Sequence, residues 1–161
     1  MKNALAAALA LALAGCTPNG LASAGGGGTG GNGGVTHTVD LNLTVYQQSN
    51  TPYGLTTGIK PPVLAVAVGD SIVFTNADGF AHTSTSVPVP DTDGETQFPA
   101  KYPFKSSALT PSGATLSGGW SSGALQAGST SQTVLADKAG TYLYGCFFHY
   151  GGNMRAAIVA Q

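Results

Sequence analysis

Apolar and polar side chains alternate in several short segments of the chain, with the period of a β-strand that buries one face. The alternation is clearest in residues 39–45 and 71–76. The same pattern, or a continuous apolar variant of it, recurs in residues 63–68, 83–87, 131–136, 141–146 and 155–160. These segments are separated by turn-forming residues, and none carries a helical period. The pattern therefore predicts an all-β fold, an antiparallel Greek-key β-sandwich or barrel of about seven or eight strands.

The pattern weakens across residues 88–128, which we treat as a long insertion in the domain. Prolines recur through its first part: Pro88, Pro90, Pro99, Pro103 and Pro111. They disfavour a long helix or a central strand. Aromatic residues in the insertion are expected to pack over the domain as a satellite cluster, and a dedicated partner surface is the alternative.

The first sixteen residues have the character of an export signal. The run from Ala4 to Ala14 contains only alanine and leucine, and it is too short to span a bilayer. It ends in Leu-Ala-Gly-Cys at residues 13–16, which resembles the bacterial lipobox. The resemblance implies a lipoprotein signal peptide at residues 1–15 and an acylated Cys16 that anchors the protein in a membrane. An ordinary secretory signal that happens to contain a cysteine is the alternative.

Residues 16–35 are predicted to be the lipidated cysteine and a flexible tether. Eight of the eleven residues 24–34 are glycine, and the segment has no apolar periodicity. About twenty such residues have a root-mean-square span on the order of 25 Å. The folded domain, residues 36–161, is thus expected to reach partners in or near the same membrane.

The charge of the chain is small. Charged residues make up 8% of the sequence and the net charge is −1, whereas about 25% of residues are charged in an average soluble domain. This composition argues against a nucleic-acid partner and against a polybasic membrane contact.

The strongest chemical signal lies near the C-terminus, where Cys146, His149 and Met154 occur in one short loop. A thiolate, an imidazole and a thioether are the donors that a soft, redox-active metal prefers. The period of two places Tyr142, Tyr144 and Cys146 on one strand face, so that the thiol is expected to point inward.

Only two cysteines exist, and lipidation of Cys16 would leave Cys146 without a disulfide partner. An unpaired thiol in an exported protein indicates that the thiol has a functional role. This feature distinguishes the chain from an immunoglobulin-like sandwich. The other histidine at a predicted strand end is His82. We therefore predict His82, Cys146 and His149 in a trigonal plane with Met154 as a weak axial ligand, an arrangement typical of blue copper. Zinc is the weaker alternative, because a structural zinc site needs four strong ligands.

Two segments resemble the ligand segments of the cupredoxins. GTYLYGCFFHYGGNM, residues 140–154, has the Cys-x2-His-x4-Met spacing of plastocyanin and pseudoazurin, and FTNADGFAHT, residues 74–83, resembles their first-histidine segment. The resemblance covers roughly residues 36–161, although the long insertion is closer to azurin-like proteins and auracyanins. Phe148 and Ala156 stand where the family often has proline and glycine, which leaves the ligand set intact.

The resemblance assigns a role to each ligand. Cys146 would be the thiolate that couples strongly to copper, and His82 the more buried imidazole. His149 would be the ligand whose ring edge reaches the surface, and Met154 would tune the reduction potential. The family often has asparagine after the first histidine, where it ties the two ligand loops together. Here the hydroxyl of Thr83 is expected to join the two loops by hydrogen bonds, although less rigidly than asparagine would.

Four further residues around the ligands are expected to have supporting roles. Asn76 is expected to support the ligands together with the residue after His82. Phe147, Phe148 and Tyr150 are predicted to form an apolar ring around His149 for brief docking of a partner. Core packing is the alternative for each of the three aromatic residues.

The resemblance implies a type 1 blue copper protein that carries single electrons between redox proteins, such as a cytochrome, an oxidase or a reductase. Copper enzymes of this fold place a histidine beside the cysteine, but Gly145 and Phe147 flank Cys146 here, so we predict no enzymatic activity. Copper storage or delivery is the alternative function. The protein is expected to be an exported monomer, lipid-anchored at the periplasmic or extracellular face of the cell-envelope membrane.

Overall fold

The computed structural model describes residues 34–88 and 97–161, and these residues form short strands joined by turns. The strands are β1 (Thr36–Leu41), β2 (Ser49–Thr51), β3 (Gly54–Thr56), β4 (Ile59–Lys60), β5 (Val63–Val66), β6 (Ser71–Asn76), β7 (Thr85–Ser86), β8 (Pro111–Thr115), β9 (Gly119–Ser122), β10 (Val134–Leu135), β11 (Gly140–Gly145) and β12 (Arg155–Ala160). The described residues also contain two short 3₁₀ helices, Ser106–Leu109 and Tyr150–Gly152. Among them, no helix has the length and apolar character needed to cross a membrane.

Ten strands form one sheet in the order β4-β1-β6-β10-β8-β9-β7-β11-β12-β5, and β2 pairs with β3 in a separate hairpin. The predicted all-β class is confirmed. The predicted number of strands was too low, because turns divide the alternating segments into shorter strands. The sheet is also mixed rather than antiparallel, since the β1/β6, β8/β10 and β5/β12 pairs are parallel. Alternation reports which face is buried but not the direction of the neighbouring strand.

Inward-facing residues of β1 and β6 form the centre of the core. Val39 and Leu41 of β1 are fully buried, as are Ile72 and Phe74 of β6. The ring of Phe74 meets the ring of Tyr144 edge to face at 5.3 Å between centroids. Aromatic pairs in this geometry contribute about 0.5–1.5 kcal/mol beyond the area they bury.

Strand β11 has two buried faces. Tyr142, Tyr144 and Cys146 contact the main core, as the period of two predicts, and Leu143 contacts a second cluster on the opposite face. The insertion supplies much of that second cluster, which comprises Val87, Phe98, Phe104, Ala108, Leu143, Tyr150 and Ala157. The predicted satellite cluster is confirmed for Phe98 and Phe104, whereas Trp120 packs in the main core and Tyr102 is exposed. The hairpin of β8 and β9 within the insertion was missed, because proline and glycine interrupt its alternation.

Strand β1 ends at Leu41, four residues before the end of the alternating segment 39–45. Beyond that point the chain turns because the backbone N–H groups of Leu43 and Thr44 both donate to the carboxylate of Asp78. This contact brings the turn after β1 against the loop that follows β6.

The chain enters the described domain at the end of the sheet remote from that loop. Val35 N–H donates to the Asp70 carboxylate at 2.8 Å, beside the first residue of β6. Asn76, at the other end of β6, begins the loop that carries His82. The predicted signal peptide, Cys16 and the tether up to residue 33 lie outside the described residues.

Candidate metal centre

The loop after β6 is shaped by Asn76, which is completely buried. The side-chain NH₂ group of Asn76 donates to the backbone carbonyls of Phe80 and Leu125 at 2.8 and 2.9 Å. The side-chain oxygen Oδ1 of Asn76 accepts from the N–H of Asp78. His82 then exchanges two backbone hydrogen bonds with Leu125. Asn76 thus supports His82 through the backbone of the loop.

The second loop follows β11 and closes on itself. Cys146 N–H donates to the Met154 carbonyl at 2.9 Å, and Met154 N–H donates to the His149 carbonyl at 3.2 Å. Asn153 adopts a left-handed backbone with φ of 66°, which completes the turn. Gly145 admits no side chain, because a Cβ there would lie 2.8 Å from the Tyr150 ring.

The two loops bring three ligand atoms together. Cys146 Sγ lies 3.7 Å from His82 Nδ1 and 3.5 Å from His149 Nδ1. All three atoms lie within 4.8 Å of one another, and no other group of three His, Cys, Asp or Glu side chains in residues 34–88 and 97–161 does so. Met154 is completely buried in the same cluster as Cys146, and its role as an axial ligand remains a prediction.

Burial affects the two histidines and the cysteine in opposite ways. Burial lowers the pKa of His82 and of His149, which favours the neutral imidazoles that metals bind. Burial raises the pKa of the Cys146 thiol, while the backbone N–H groups of Thr83, Phe148 and His149 act in the opposite direction. A bound cation would oppose the burial effect and stabilise the thiolate.

The Asp78 carboxylate lies against the ring nitrogen of His82 that faces away from Cys146. Its carboxylate Oδ2 lies 3.2 Å from His82 Nε2. Burial raises the pKa of Asp78, but hydrogen bonds from Gly79 N–H, His82 and Thr44 outweigh burial and hold it well below its usual range. An ionised carboxylate only accepts hydrogen bonds, so Nε2 is assigned as the donor and Nδ1 is left to face Cys146. Our sequence reasoning missed Asp78, although a carboxylate four residues before a ligand histidine was a usable signal.

Thr83 links the two loops. Its backbone N–H donates to Cys146 Sγ at 3.4 Å, and its hydroxyl oxygen accepts from Phe147 N–H at 2.8 Å. The cysteine sulfur is therefore held from one side by the segment that carries His82.

The three aromatic residues predicted for docking differ in exposure. Phe148 is 45% exposed and Phe147 is half-buried. Tyr150 is buried and packs edge to face on Phe104 at 5.3 Å between ring centroids. This position agrees with core packing, the alternative to docking, for Tyr150. Phe80, which the sequence did not single out, is 44% exposed, and its ring lies 5.4 Å from that of His149.

The insertion also reaches the second loop. The hydroxyl of Tyr102 donates to the Phe147 carbonyl at 2.6 Å, and the two rings meet edge to face at 5.8 Å. Nothing in the local sequence around Tyr102 indicates this contact, because it joins segments 45 residues apart.

No protein-family model matches the chain, and no curated protein matches it in sequence. Structural comparison finds similarity to a purple cupredoxin from Nitrosopumilus maritimus, with 16% identity, 77% of this chain and 98% of that chain covered, and a TM-score of 0.46. Plastocyanin from Dryopteris crassirhizoma is 13% identical, with 78% of this chain and 100% of that chain covered and a TM-score of 0.46. A mutant amicyanin in its reduced Cu(I) form is 18% identical, with 83% of this chain and 87% of that chain covered and a TM-score of 0.46. At these identities and TM-scores the similarity assigns no function to the chain.

Proposed function

We propose that this chain binds one copper ion through His82, Cys146 and His149, with Met154 as a weak fourth ligand, and carries single electrons. The observation that carries the proposal is the convergence of two imidazole nitrogens and one thiol sulfur within 4.8 Å. Two imidazoles with one thiolate form the trigonal donor set of blue copper sites. Bound copper would supply one-electron chemistry by alternating between Cu(I) and Cu(II).

The surrounding residues support an electron carrier more than a metal exchanger. His82 and Cys146 are completely buried, so a chelator could approach the site only from the side of the half-buried His149. The hydrogen bonds of Asn76 and Thr83 fix the two ligand loops, which limits rearrangement of the ligands between oxidation states.

His149 provides the exit for electrons in this proposal. Its ring is only half-buried, and the exposed rings of Phe80 and Phe148 lie beside it at 5.4 and 6.1 Å between centroids. An uncharged aromatic surface of this kind favours brief docking to a redox protein such as a cytochrome, an oxidase or a reductase. We further propose that the protein is a monomer, exported and held at the cell-envelope membrane through Cys16.

An enzymatic role receives no support from the site. Gly145 and Phe147 flank Cys146, so no adjacent histidine leads to a second metal.

Voltammetry of the copper-loaded protein, combined with competition by a mild Cu(I) chelator, tests the proposed function. An electron carrier should give a reversible one-electron couple and should retain copper against the chelator. A protein for copper storage or delivery would instead release its copper readily and give no reversible couple. That result would overturn the electron-carrier assignment.

A further inference from the structure

We propose that Asp78 is a positioning residue that holds His82 in the tautomer with Nδ1 free for the metal and lowers the reduction potential of the site. This inference rests on the proposed copper function. Asp78 contacts the candidate ligands through the imidazole ring of His82, and its negative charge adds an effect at longer range.

The Asp78 carboxylate is buried and accepts five hydrogen bonds. The donors are Leu43 N–H at 2.8 Å, Thr44 N–H at 3.2 Å, Thr44 Oγ1–H at 2.8 Å, Gly79 N–H at 2.8 Å and His82 Nε2–H at 3.2 Å. Backbone groups supply three of them, so the orientation of the carboxylate is fixed by the fold rather than by His82. A group fixed in this way can orient its neighbour.

The orientation of His82 follows from this fixed acceptor. Donation from Nε2 to Asp78 leaves the lone pair of Nδ1 directed toward Cys146 Sγ, 3.7 Å away. The opposite tautomer would place two acceptors, Nε2 and the carboxylate oxygen, against each other in a fully buried position. Leaving buried polar groups unpaired costs about 1–3 kcal/mol, which favours the Nε2–H tautomer strongly.

The carboxylate also changes the chemistry of the imidazole. A carboxylate that accepts from the distal N–H of a ligand histidine raises the basicity of the coordinating nitrogen. A more basic nitrogen and a nearby negative charge both stabilise the more highly charged Cu(II) over Cu(I). Asp78 should therefore lower the reduction potential of the site.

The first test needs neither copper nor a variant. Nitrogen-15 NMR of the imidazole of His82 in the metal-free, full-length protein reports which ring nitrogen carries the proton. We expect the Nε2–H tautomer alone. Observation of the Nδ1–H tautomer in the wild-type protein would overturn the proposal. Because this measurement does not involve copper, its result is independent of the proposed function.

The second test uses Asp78→Asn, which keeps the size of the side chain but removes the charge and the obligatory acceptor. The copper-loaded variant should keep its visible absorption band. Its affinity for Cu(I) relative to Cu(II) should rise about tenfold, which corresponds to about 59 mV for one electron. Asp137→Asn is the matched control, since Asp137 bonds Ser117 away from the site and the potential should not change. An unchanged potential in Asp78→Asn would contradict the proposed role.

Discussion

Each completely buried polar side chain near the candidate metal centre needs a hydrogen-bond partner. His82 and Cys146 are fully buried, and each meets a fixed partner, the Asp78 carboxylate and the Thr83 N–H respectively. Buried polar groups without partners are costly, so these contacts are needed for the ligands to occupy the core. Tyr144 is the exception, because its buried hydroxyl finds no hydrogen-bond partner in the described part of the chain.

Met154→Leu should leave copper bound while raising the reduction potential. Loss of a weak sulfur donor destabilises Cu(II) more than Cu(I), and a tenfold difference corresponds to about 59 mV. Leucine matches the size of methionine in this fully buried position, so packing should be nearly unchanged. Voltammetry of the variant and the wild-type protein makes the comparison. Equal potentials would argue against axial ligation by Met154.

Tyr144→Phe should stabilise the domain by about 1 kcal/mol, because it removes an unpaired buried hydroxyl. The rings of Phe74 and Trp120 that pack on Tyr144 would keep their contacts. Tyr142→Phe is the control, since the Tyr142 hydroxyl does donate, to the Lys138 carbonyl at 2.8 Å, and its removal should give no gain. Urea unfolding of the metal-free protein measures both variants. A loss of stability in Tyr144→Phe would show that its hydroxyl has a partner.

At the scale of elements, the insertion supports the second ligand loop from outside the main core. Tyr102→Phe removes the 2.6 Å hydrogen bond to the Phe147 carbonyl. We expect a loss of about 1 kcal/mol in stability and faster amide hydrogen exchange at Phe148 and His149. Tyr142→Phe again serves as the control, because its hydrogen bond lies away from the loop. Unchanged exchange in Tyr102→Phe would mean that this hydrogen bond does not restrain the loop.

The elements that the sequence predicted well are those whose pattern is local. Strands β6 and β12 match the alternating or apolar segments 71–76 and 155–160 residue for residue, and the spacing of Cys146 and His149 led to the ligand loop. Contacts between distant segments left no local trace. The parallel pairing of β1 with β6 and the reach of Tyr102 to Phe147 depend on how loops cross the fold, which periodicity does not encode.

At the scale of the whole molecule, the few charged side chains include Asp70, whose carboxylate makes hydrogen bonds at the start of the described domain. Asp70 bonds His37 at 2.8 Å and accepts from the N–H groups of Val35 and Ala67. The hydrogen bond with His37 and those two N–H groups lower the pKa of Asp70. Hydrogen bonds from Ser117 likewise lower the pKa of Asp137.

Stability of the metal-free domain should therefore fall in acid. A carboxylate whose pKa is lower in the folded state stabilises the fold above its unfolded pKa, which is about 3.9 for aspartate. This contribution is complete near neutral pH and is lost as the pH falls below about 4 toward the folded-state pKa. Urea unfolding from pH 6 to pH 2.5 measures the loss. Asp70→Asn should weaken the pH dependence, and an equally steep acid limb in that variant would contradict the assignment.

The absorption spectrum of the oxidised, copper-loaded protein, beside that of Cys146→Ser, tests the central claim most directly. A Cu(II)–thiolate bond in the proposed site should give an intense visible charge-transfer band. Serine retains the size of the side chain but removes the sulfur, so the band should disappear in the variant. A wild-type protein without the band, or a variant that keeps it, would contradict the proposed copper centre.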